Sequence, residues 1–367
     1  MYLKQAKINS KTVKFPVYLP DATRAVIRSI GVEDLRAAKI EGIVVNPYHL
    51  LSQPGLPVIE KAGGVGRFMS WDGLAVSDSG GWQLLSMVHK DKNLGRINDN
   101  GVVFNLNSLG EKKKQIFTPE KSISVQFALK ADLIVCLDDC PGISANVNDF
   151  KISVERTVYW AKRGKEEFLR QKEKNKDKNY RPSLMAVVQG GPDRKLRKRC
   201  ANELIKIGFD AYGFGGWTLN EKGAVDFKLL KIVSQLLPNN KPKFALGVGD
   251  PWAIVNGFNL GYQIFDCVLP TRDARHQRLY VFKTDPAKTD ILKNKNIHQY
   301  LYVNKEKQAD NLKPVSDFCD CLLCRNYSRA YLRHLFKIKD SLAWRLSTIH
   351  NLRTYSRLIE LLRKSKN

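Results

Sequence analysis

The sequence has no long hydrophobic run: its 367 residues contain no stretch of about 18 uninterrupted apolar side chains. The N-terminal residues MYLKQAKINSKTVKF carry polar side chains where a secretory signal needs a continuous apolar centre. We therefore expect no membrane-spanning helix and a cytoplasmic location.

Cysteine is scarce, and acidic residues are outnumbered. Seven cysteines are an odd number for a long chain, so no disulfide framework is expected. Against 36 Asp and Glu stand 61 Lys and Arg, a formal net charge of +25. This surplus points to a nucleic-acid partner, with a generally basic surface as the alternative. An apolar content of 43% excludes a mostly disordered chain.

Short apolar runs alternate with segments of helical periodicity. The predicted strands are 42–49, 73–81, 131–139, 184–191, 210–216, 243–249 and 262–270, and the clearest helices are 118–131 and 149–174. Strands that are apolar along their length favour a parallel sheet covered on both faces. The sequence therefore predicts an α/β fold, a (β/α)₈ TIM barrel with its first or last strand not placed. A doubly wound sheet is the alternative.

The composition changes after residue 282, where apolar periodicity gives way to a Lys- and Asn-rich stretch. A cysteine cluster and two helical segments follow. We predict a catalytic barrel over residues 1–282 and a basic, zinc-binding C-terminal subdomain over 283–367.

Polar or glycine residues follow most of the predicted strands. They are Asp78, Asp138 and Asp139, Gln189, the Gly215-Gly216 pair, Gly247 and Gly249, and Asp266. In a TIM barrel all these strand ends meet at one mouth, where the active sites of this architecture lie.

Two carboxyl groups suit chemistry at an anomeric carbon. One can attack the carbon, because a negative charge stabilises an oxocarbenium-like transition state, and the other can move the proton. Helix N-caps and ion pairs with the abundant basic residues are the alternative roles. Spacing alone leaves open which of the four aspartates attacks.

The spacing Cys319-x-Cys321-x-x-Cys324 supplies three thiolates, and His350 supplies an imidazole. Together they make a complete tetrahedral set for a structural Zn²⁺ ion. His334 is the alternative fourth ligand.

Several motifs, in order along the chain, resemble the tRNA-guanine transglycosylases, the queuine tRNA-ribosyltransferase family. They include VSDSGGWQLLS (76–86), VQGG (188–191), GFGGWTLNE (213–221), ALGVGDP (245–251), FDCVLPTRDAR (265–275) and SRAYLRHLFK (328–337). The resemblance runs from about Phe15 to the C-terminal helices and is closest to the bacterial members.

The resemblance implies a TIM barrel with a zinc subdomain, often as a homodimer, that replaces guanine at the anticodon wobble position of tRNA by a 7-deazaguanine. It makes Asp266 the nucleophile that attacks the ribose C1′, and Asp78 the general acid/base. This chemistry needs neither ATP nor a redox cofactor, and the phosphate-binding pattern G-x-x-x-x-G-K-[ST] does not occur.

The resemblance also assigns the binding residues. Asp138, Gln189 and the Gly215-Gly216 pair hold the edge of the base, with Trp82 stacked on it and Leu246 as the opposite wall. Cys140 and Leu219 match the bacterial form and leave room only for a small base. Glu221 lies where an acid faces the ammonium group of 7-aminomethyl-7-deazaguanine, and Arg272 and Arg275 are expected to contact RNA.

The sequence departs from the family pattern at Trp82, Trp217, Asn220 and His276 to Arg278. These positions affect the expected substrate choice rather than the chemistry. Two alternatives remain: an enzyme that inserts a deazaguanine into DNA, and a non-catalytic RNA-binding subunit. Retention of both Asp78 and Asp266 argues against the second.

Overall fold

The computed structural model describes residues 3–90, 94–108, 111–142, 144–219 and 223–365, with backbone alone at 89–90 and 105–115. Its strands are β1 Gln5–Ile8, β2 Lys11–Lys14, β3 Val17–Pro20, β4 Gly42–Val45, β5 Leu74–Ser77, β6 Gly95–Asn98, β7 Gly101–Ser108, β8 Glu111–Phe117, β9 Leu133–Val135, β10 Ser183–Val188, β11 Ala211–Phe214, β12 Lys243–Ala245, β13 Ile264–Cys267, β14 Arg278–Phe282 and β15 His298–Tyr302.

The helices surround the strands or follow them. They are α1 Val32–Ala37, α2 Pro47–Ser52, α3 Leu56–Ala62, α4 Val65–Phe68, α5 Gly81–Lys90, α6 Pro119–Ala128, α7 Val147–Lys174, α8 Arg194–Ile207, α9 Phe227–Leu236, α10 Pro251–Asn259, α11 Leu269–Arg275, α12 Leu322–Asn326, α13 Arg329–Lys337 and α14 Ser341–Lys364. Helix α6 begins at an N-cap: the Thr118 hydroxyl accepts from the Lys121 N–H, and Pro119 opens the helix.

Eight parallel strands form one sheet in the order β3-β13-β12-β11-β10-β9-β5-β4. β3, the first barrel strand in the chain, pairs with β13, the last, which a doubly wound sheet does not allow. At the remaining seam the Ala22 N–H donates to the Val44 carbonyl at 2.7 Å, which nearly closes the barrel. The predicted TIM barrel is confirmed. The strand that the sequence left unplaced is β3.

Alternate strand residues point to opposite sides of the barrel wall. The interior is filled by Val17, Leu19, Leu74, Val76, Leu133, Val135, Met185, Val187, Ala211, Phe244 and Ile264. Their neighbours along each strand pack outward against the helices. Burial on both faces explains why the strands are apolar along their whole length.

The β1–β2 hairpin closes the N-terminal end of the barrel. Ile8, Val13 and Phe15 join the interior cluster. The hairpin is fixed by Lys11, whose ammonium contacts the Asp132 carboxylate at 2.7 Å and the Gly73 carbonyl at 2.6 Å. The β6–β8 sheet, inserted between α5 and α6, was not predicted.

The C-terminal helix α14 belongs to two hydrophobic clusters. Its first half, with Leu346, packs beside the cysteine cluster and the β14–β15 ribbon. Its second half packs on the barrel, where the Tyr355 hydroxyl donates to the Gly249 carbonyl at 2.7 Å. The division into residues 1–282 and 283–367 stays a prediction, because α14 lies beyond it and still covers the barrel wall. No helix within the described ranges is both long and apolar enough to cross a membrane.

Candidate active site

The inward register of the strands continues beyond their C-terminal ends and carries polar side chains into the barrel mouth. The inward series are Val17, Leu19 and Asp21 on β3; Val44 and Asn46 on β4; Leu74, Val76 and Asp78 on β5; Met185, Val187 and Gln189 on β10; Phe244 and Leu246 on β12; and Ile264 and Asp266 on β13. A residue two positions beyond an inward strand residue faces the same axis. Period two therefore explains why the groups of these six strands converge, whereas β9 departs from it after the inward Val135.

Asp266 and Asp78 both lie in this mouth and are half-buried. Asp266 Oδ1 accepts from the Gly247 N–H at 2.7 Å. Asp78 Oδ1 accepts from the Ser79 N–H at 2.8 Å, and Asp78 Oδ2 accepts from the Asn46 amide at 3.3 Å. These bonds hold each carboxyl group in one orientation.

Asp138 and Gln189 form a third polar group in the mouth. The Gln189 amide donates to Asp138 Oδ2 at 2.6 Å, joining the ends of β9 and β10. Asp139 points away from the pair and bonds to Arg156 at 2.5 Å. Of the two adjacent acids, the structure thus places Asp138 in the mouth and gives Asp139 an ion-pair role.

Burial raises the pKa of all three half-buried carboxyl groups, because the mouth solvates a charge poorly. The pKa of Asp78 rises to about 6, and those of Asp138 and Asp266 to about 7. The charge of Asp78 adds to the rise at both other groups, and the charge of Asp21 adds to the rise at Asp78 and Asp266. Strongly raised carboxyl pKa values in one cleft are typical of acid-base catalysis.

The buried guanidinium of Arg197 holds the loops that follow β10 and β11. It donates to the carbonyls of Val188 at 2.6 Å, Gly215 at 2.8 Å and Gly191 at 2.8 Å. Burial lowers the pKa of Arg197 to about 10. The residue thus fixes the backbone next to Gln189.

Glycine is required after β11. A Cβ at Gly215 would lie 2.6 Å from Gln189 Nε2, so any side chain there would displace the amide. Gly216 has a φ of +89°, a conformation that disfavours other residues. Both glycines lie against the Asp138–Gln189 pair.

Two indole rings stand at the mouth. Trp82 is 47% exposed and Trp217 is 41% exposed, and their ring centroids are 6.4 Å apart in an edge-to-face arrangement. The Trp217 N–H donates to the Pro141 carbonyl at 3.1 Å. Leu246 is half-buried at the top of the interior, Cys140 is buried beneath the mouth, and Leu219 is exposed.

Basic residues of α11 follow Asp266 directly. Arg272 is exposed, whereas Arg275 is half-buried and donates to the Thr271 carbonyl at 2.9 Å. Burial lowers the pKa of Arg275, and the neighbouring charges of Arg28 and Arg272 lower it further. The mouth therefore has an arginine-rich side.

The cysteine cluster is assembled as predicted. The ligand atoms of Cys319, Cys321, Cys324 and His350 all lie within 4.8 Å of one another, a group that can hold a metal ion. His350 Nε2 lies 2.8 Å from the Tyr280 carbonyl, which leaves Nδ1 facing the thiols of Cys321 and Cys324 at 3.5 and 3.2 Å. His334, the alternative ligand, instead packs near Tyr331.

Sequence reasoning missed three residues of the site: Asp21, Asn46 and Arg197. The inward register of the predicted strand 42–49 would have found Asn46, and that of β3 would have found Asp21, had β3 been placed. Glu221, predicted to face an ammonium group, lies outside the described residues.

Comparison with known proteins identifies the family. The family model for queuine tRNA-ribosyltransferase matches residues 3–365. A queuine tRNA-ribosyltransferase from Thermoanaerobacter sp. (strain X514) is 38% identical over 353 residues, or 96% of this chain and 86% of the relative. One from Methylacidiphilum infernorum (isolate V4) is 37% identical over 352 residues, or 96% and 88%.

A relative of the same name from Staphylococcus aureus (strain bovine RF122 / ET3-1) is 36% identical over 350 residues, or 95% of this chain and 85% of the relative. Because the match extends over nearly the whole chain and most of each relative, this protein belongs to the queuine tRNA-ribosyltransferase family of tRNA-guanine transglycosylases.

Proposed function

We propose that this enzyme replaces the wobble guanine of tRNA by a 7-deazaguanine through an ester between Asp266 and the ribose. The observation that carries the proposal is that Asp266 and Asp78 share one mouth with the Asp138–Gln189 pair. A carboxylate, a proton carrier and a base-binding pair are the groups that base exchange requires.

In the first half of the reaction, an Asp266 carboxylate oxygen bonds to C1′ while the bond from C1′ to guanine N9 breaks. The electron pair of that bond goes to the guanine, which takes a proton from Asp78. In the second half, Asp78 accepts a proton from the incoming base, whose N9 attacks C1′ and releases the Asp266 carboxylate. With a pKa of about 6 for Asp78 and about 7 for Asp266, the ionised and protonated forms of both groups coexist near neutral pH, as a reaction that moves one proton back and forth requires.

Base selection falls to Asp138 and Gln189, with the Gly216 N–H beside them. Gln189 is buried and Asp138 is half-buried, so a base that cannot pair with them leaves them unsatisfied, which discriminates strongly. Trp82 offers its ring for stacking, and Leu246 offers the opposite wall. The bulk of Leu219 and the acid at Glu221 favour the small aminomethyl form of the base.

Zinc is the ion that we propose for the cysteine cluster. Three thiolates and one imidazole match the closed, four-ligand set of structural zinc sites, and the Tyr280 carbonyl orients the imidazole. Such an ion stabilises the fold around α12 to α14 and leaves no position for substrate.

The polynucleotide reaches the mouth along its arginine side, where Arg272 and Arg275 can bind phosphates. The target nucleotide must leave its stack to reach Asp266, and an unpaired anticodon loop permits this more easily than a duplex. A cytoplasmic location and a homodimer complete the proposal. Exposed apolar side chains near the metal cluster, among them Phe318, Leu322 and Tyr331, offer contact surface for a second copy.

Radiolabelled guanine tests the proposal. The label should enter bulk tRNA and map to the wobble position, and entry into duplex DNA alone would overturn it. Asp266→Asn should abolish the covalent RNA complex on a denaturing gel while fold and metal content persist. Glu155→Gln, which changes an exposed acid paired to Arg199 at 3.2 Å, is the matched control.

A further inference from the structure

The β14–β15 ribbon has one buried and one partly exposed face. Leu279, Val281 and Leu301 pack against the helices near the metal cluster. On the opposite face Arg278 pairs with Tyr302 across the ribbon, and Tyr280 pairs with Tyr300. Tyr280 is buried against the barrel, whereas Tyr300 is 37% exposed and Tyr302 is 42% exposed. We call Arg278, Tyr300 and Tyr302 the tyrosine face.

The tyrosine face is held in place before any ligand binds. The Arg278 guanidinium lies over the Tyr300 ring, 4.8 Å from its centroid, and donates to the Asp273 carboxylate at 2.7 Å. The Tyr300 centroid is 5.2 Å from that of Tyr280 and 6.3 Å from that of Tyr302. Two exposed rings and a flat guanidinium therefore form a preorganised stacking surface.

This surface lies at the rim of the barrel mouth. Asp273, which anchors Arg278, belongs to α11, and that seven-residue helix begins at Leu269, two residues after the end of β13 and three after Asp266. A helix of that length spans about 10 Å. Burial raises the pKa of Tyr300, and the charge of Asp250 raises it further, so Tyr300 also lies near the rim loop that follows β12.

The chemistry of the surface fits unpaired nucleotides. Aromatic rings and guanidinium planes stack on bases without requiring a particular sequence. Arg272 and Arg275 belong to α11, which lies in the chain between Asp266 and Arg278, and they supply positive charge for the phosphates. Nothing in the two catalytic half-reactions uses these tyrosines.

We propose that the tyrosine face stacks an unpaired base of the RNA substrate close to the target nucleotide, while Arg272 and Arg275 hold the intervening phosphates. The inference rests on the proposed function and adds a polynucleotide subsite to it. The subsite contributes to RNA binding and leaves the chemical step unchanged.

The test combines Tyr300→Ala with Tyr302→Ala in the full-length enzyme and measures guanine exchange into tRNA. The KM for tRNA should rise roughly tenfold, because stacking on an aromatic ring contributes that much per base. The kcat and the KM for guanine should stay unchanged. The double variant Tyr300→Phe with Tyr302→Phe keeps both rings and should have the wild-type KM for tRNA.

Tyr159→Ala is the matched control. Tyr159 is 48% exposed on α7 and carries a similar cation-π contact, with Arg163 at 5.3 Å from its ring centroid. An alanine double variant with a wild-type KM for tRNA would overturn the inference. The inference would also be overturned if the wild-type enzyme sediments as a dimer and the alanine double variant as a monomer with an unchanged KM for tRNA. A second copy of the chain would then occupy the tyrosine face.

Failure of the proposed function gives a different result. An enzyme that incorporates no guanine into tRNA would refute the proposed exchange itself. Equilibrium binding of an anticodon stem-loop would still test the tyrosine face: the alanine double variant should bind about tenfold more weakly, and equal binding would refute it.

Discussion

Asp21 changes the electrostatics of the mouth without belonging to the predicted catalytic pair. It continues the inward register of β3, and its Oδ1 accepts from the Thr23 N–H at 2.9 Å. Its negative charge opposes ionisation of Asp78 and Asp266 and so raises both pKa values.

Asp21→Asn should lower the pKa of both acids, because it removes that charge. Asp266 then stays ionised at lower pH, so the acid limb of the pH profile of kcat/KM should move to lower pH. The exchange assay over pH 5 to 9 measures this. Thr23→Val keeps the charge of Asp21 and should leave the profile unmoved. An unmoved profile in Asp21→Asn would show that Asp21 does not act on these acids.

Arg197 carries a buried charge, and its guanidinium donates to three backbone carbonyl oxygens. Arg197→Met would remove the guanidinium donor from the carbonyls of Gly191 and Gly215, and the Val188 carbonyl would keep only the Gly215 N–H at 3.0 Å. We expect a loss of about 3 kcal/mol of unfolding free energy and a KM for guanine raised roughly tenfold.

Urea unfolding and the exchange assay measure both effects. Arg197→Lys keeps the charge but not the planar arrangement of donors. Compared with Arg197→Met, it should regain part of the unfolding free energy, whereas its KM for guanine should stay closer to that of the Met variant. Arg194→Met, on the exposed side of α8, should change neither quantity. A Met variant with wild-type KM for guanine would refute the positioning role.

Single residues also show where sequence reasoning stops. Arg197 lies in the basic run RKLRKR, which looks like a solvated helix face. Only its register with Cys200, Ala201 and Leu204 shows that it is buried. The choice between His350 and His334 depended on a contact with the distant Tyr280 carbonyl, which no local pattern reveals.

At the scale of elements, the barrel strands and their polar ends were predictable because both faces of each strand are buried. β3 was not placed, because it has four residues and ends at Pro20, a residue type more usual in turns. The β6–β8 sheet was missed because its strands lie within one barrel connection and repeat no βα unit. The site residues carried over from the family stay predictions until they are tested.

Helix α14 links the metal cluster to the barrel wall, so the ion should stabilise both. Removing the metal with a chelator should lower Tm, because His350 and the thiols lose the ion that joins them. Cys324→Ser should also lower Tm, because the ion loses one of its four ligands. Thermal unfolding followed by circular dichroism, together with metal analysis, measures this. Added Zn²⁺ should restore the wild-type Tm but not that of the variant. A metal-free protein with an unchanged Tm would contradict the prediction.

At the scale of the whole molecule, a net charge of +25 predicts salt-sensitive binding of a polyanion. The KM for tRNA should rise steeply between 50 and 200 mM salt. Arg272→Gln should reduce the slope of log KM against log salt concentration by about 1 if the side chain contacts a phosphate. Lys178→Gln, at an exposed position in the loop that leads into β10, should leave the slope unchanged. Equal slopes in all three proteins would place the phosphates elsewhere.

The β1–β2 hairpin covers the N-terminal end of the barrel. In the part of the chain that the structure describes, substrates and products must therefore pass through the mouth at the other end. If the ribose stays bound to Asp266 as we propose, the departing guanine must leave through the mouth before the replacement base can enter. We therefore expect double-displacement (ping-pong) kinetics, with parallel lines in double-reciprocal plots. Released guanine should inhibit competitively against the incoming base. Intersecting lines would mean that the departing and incoming bases occupy the mouth at the same time.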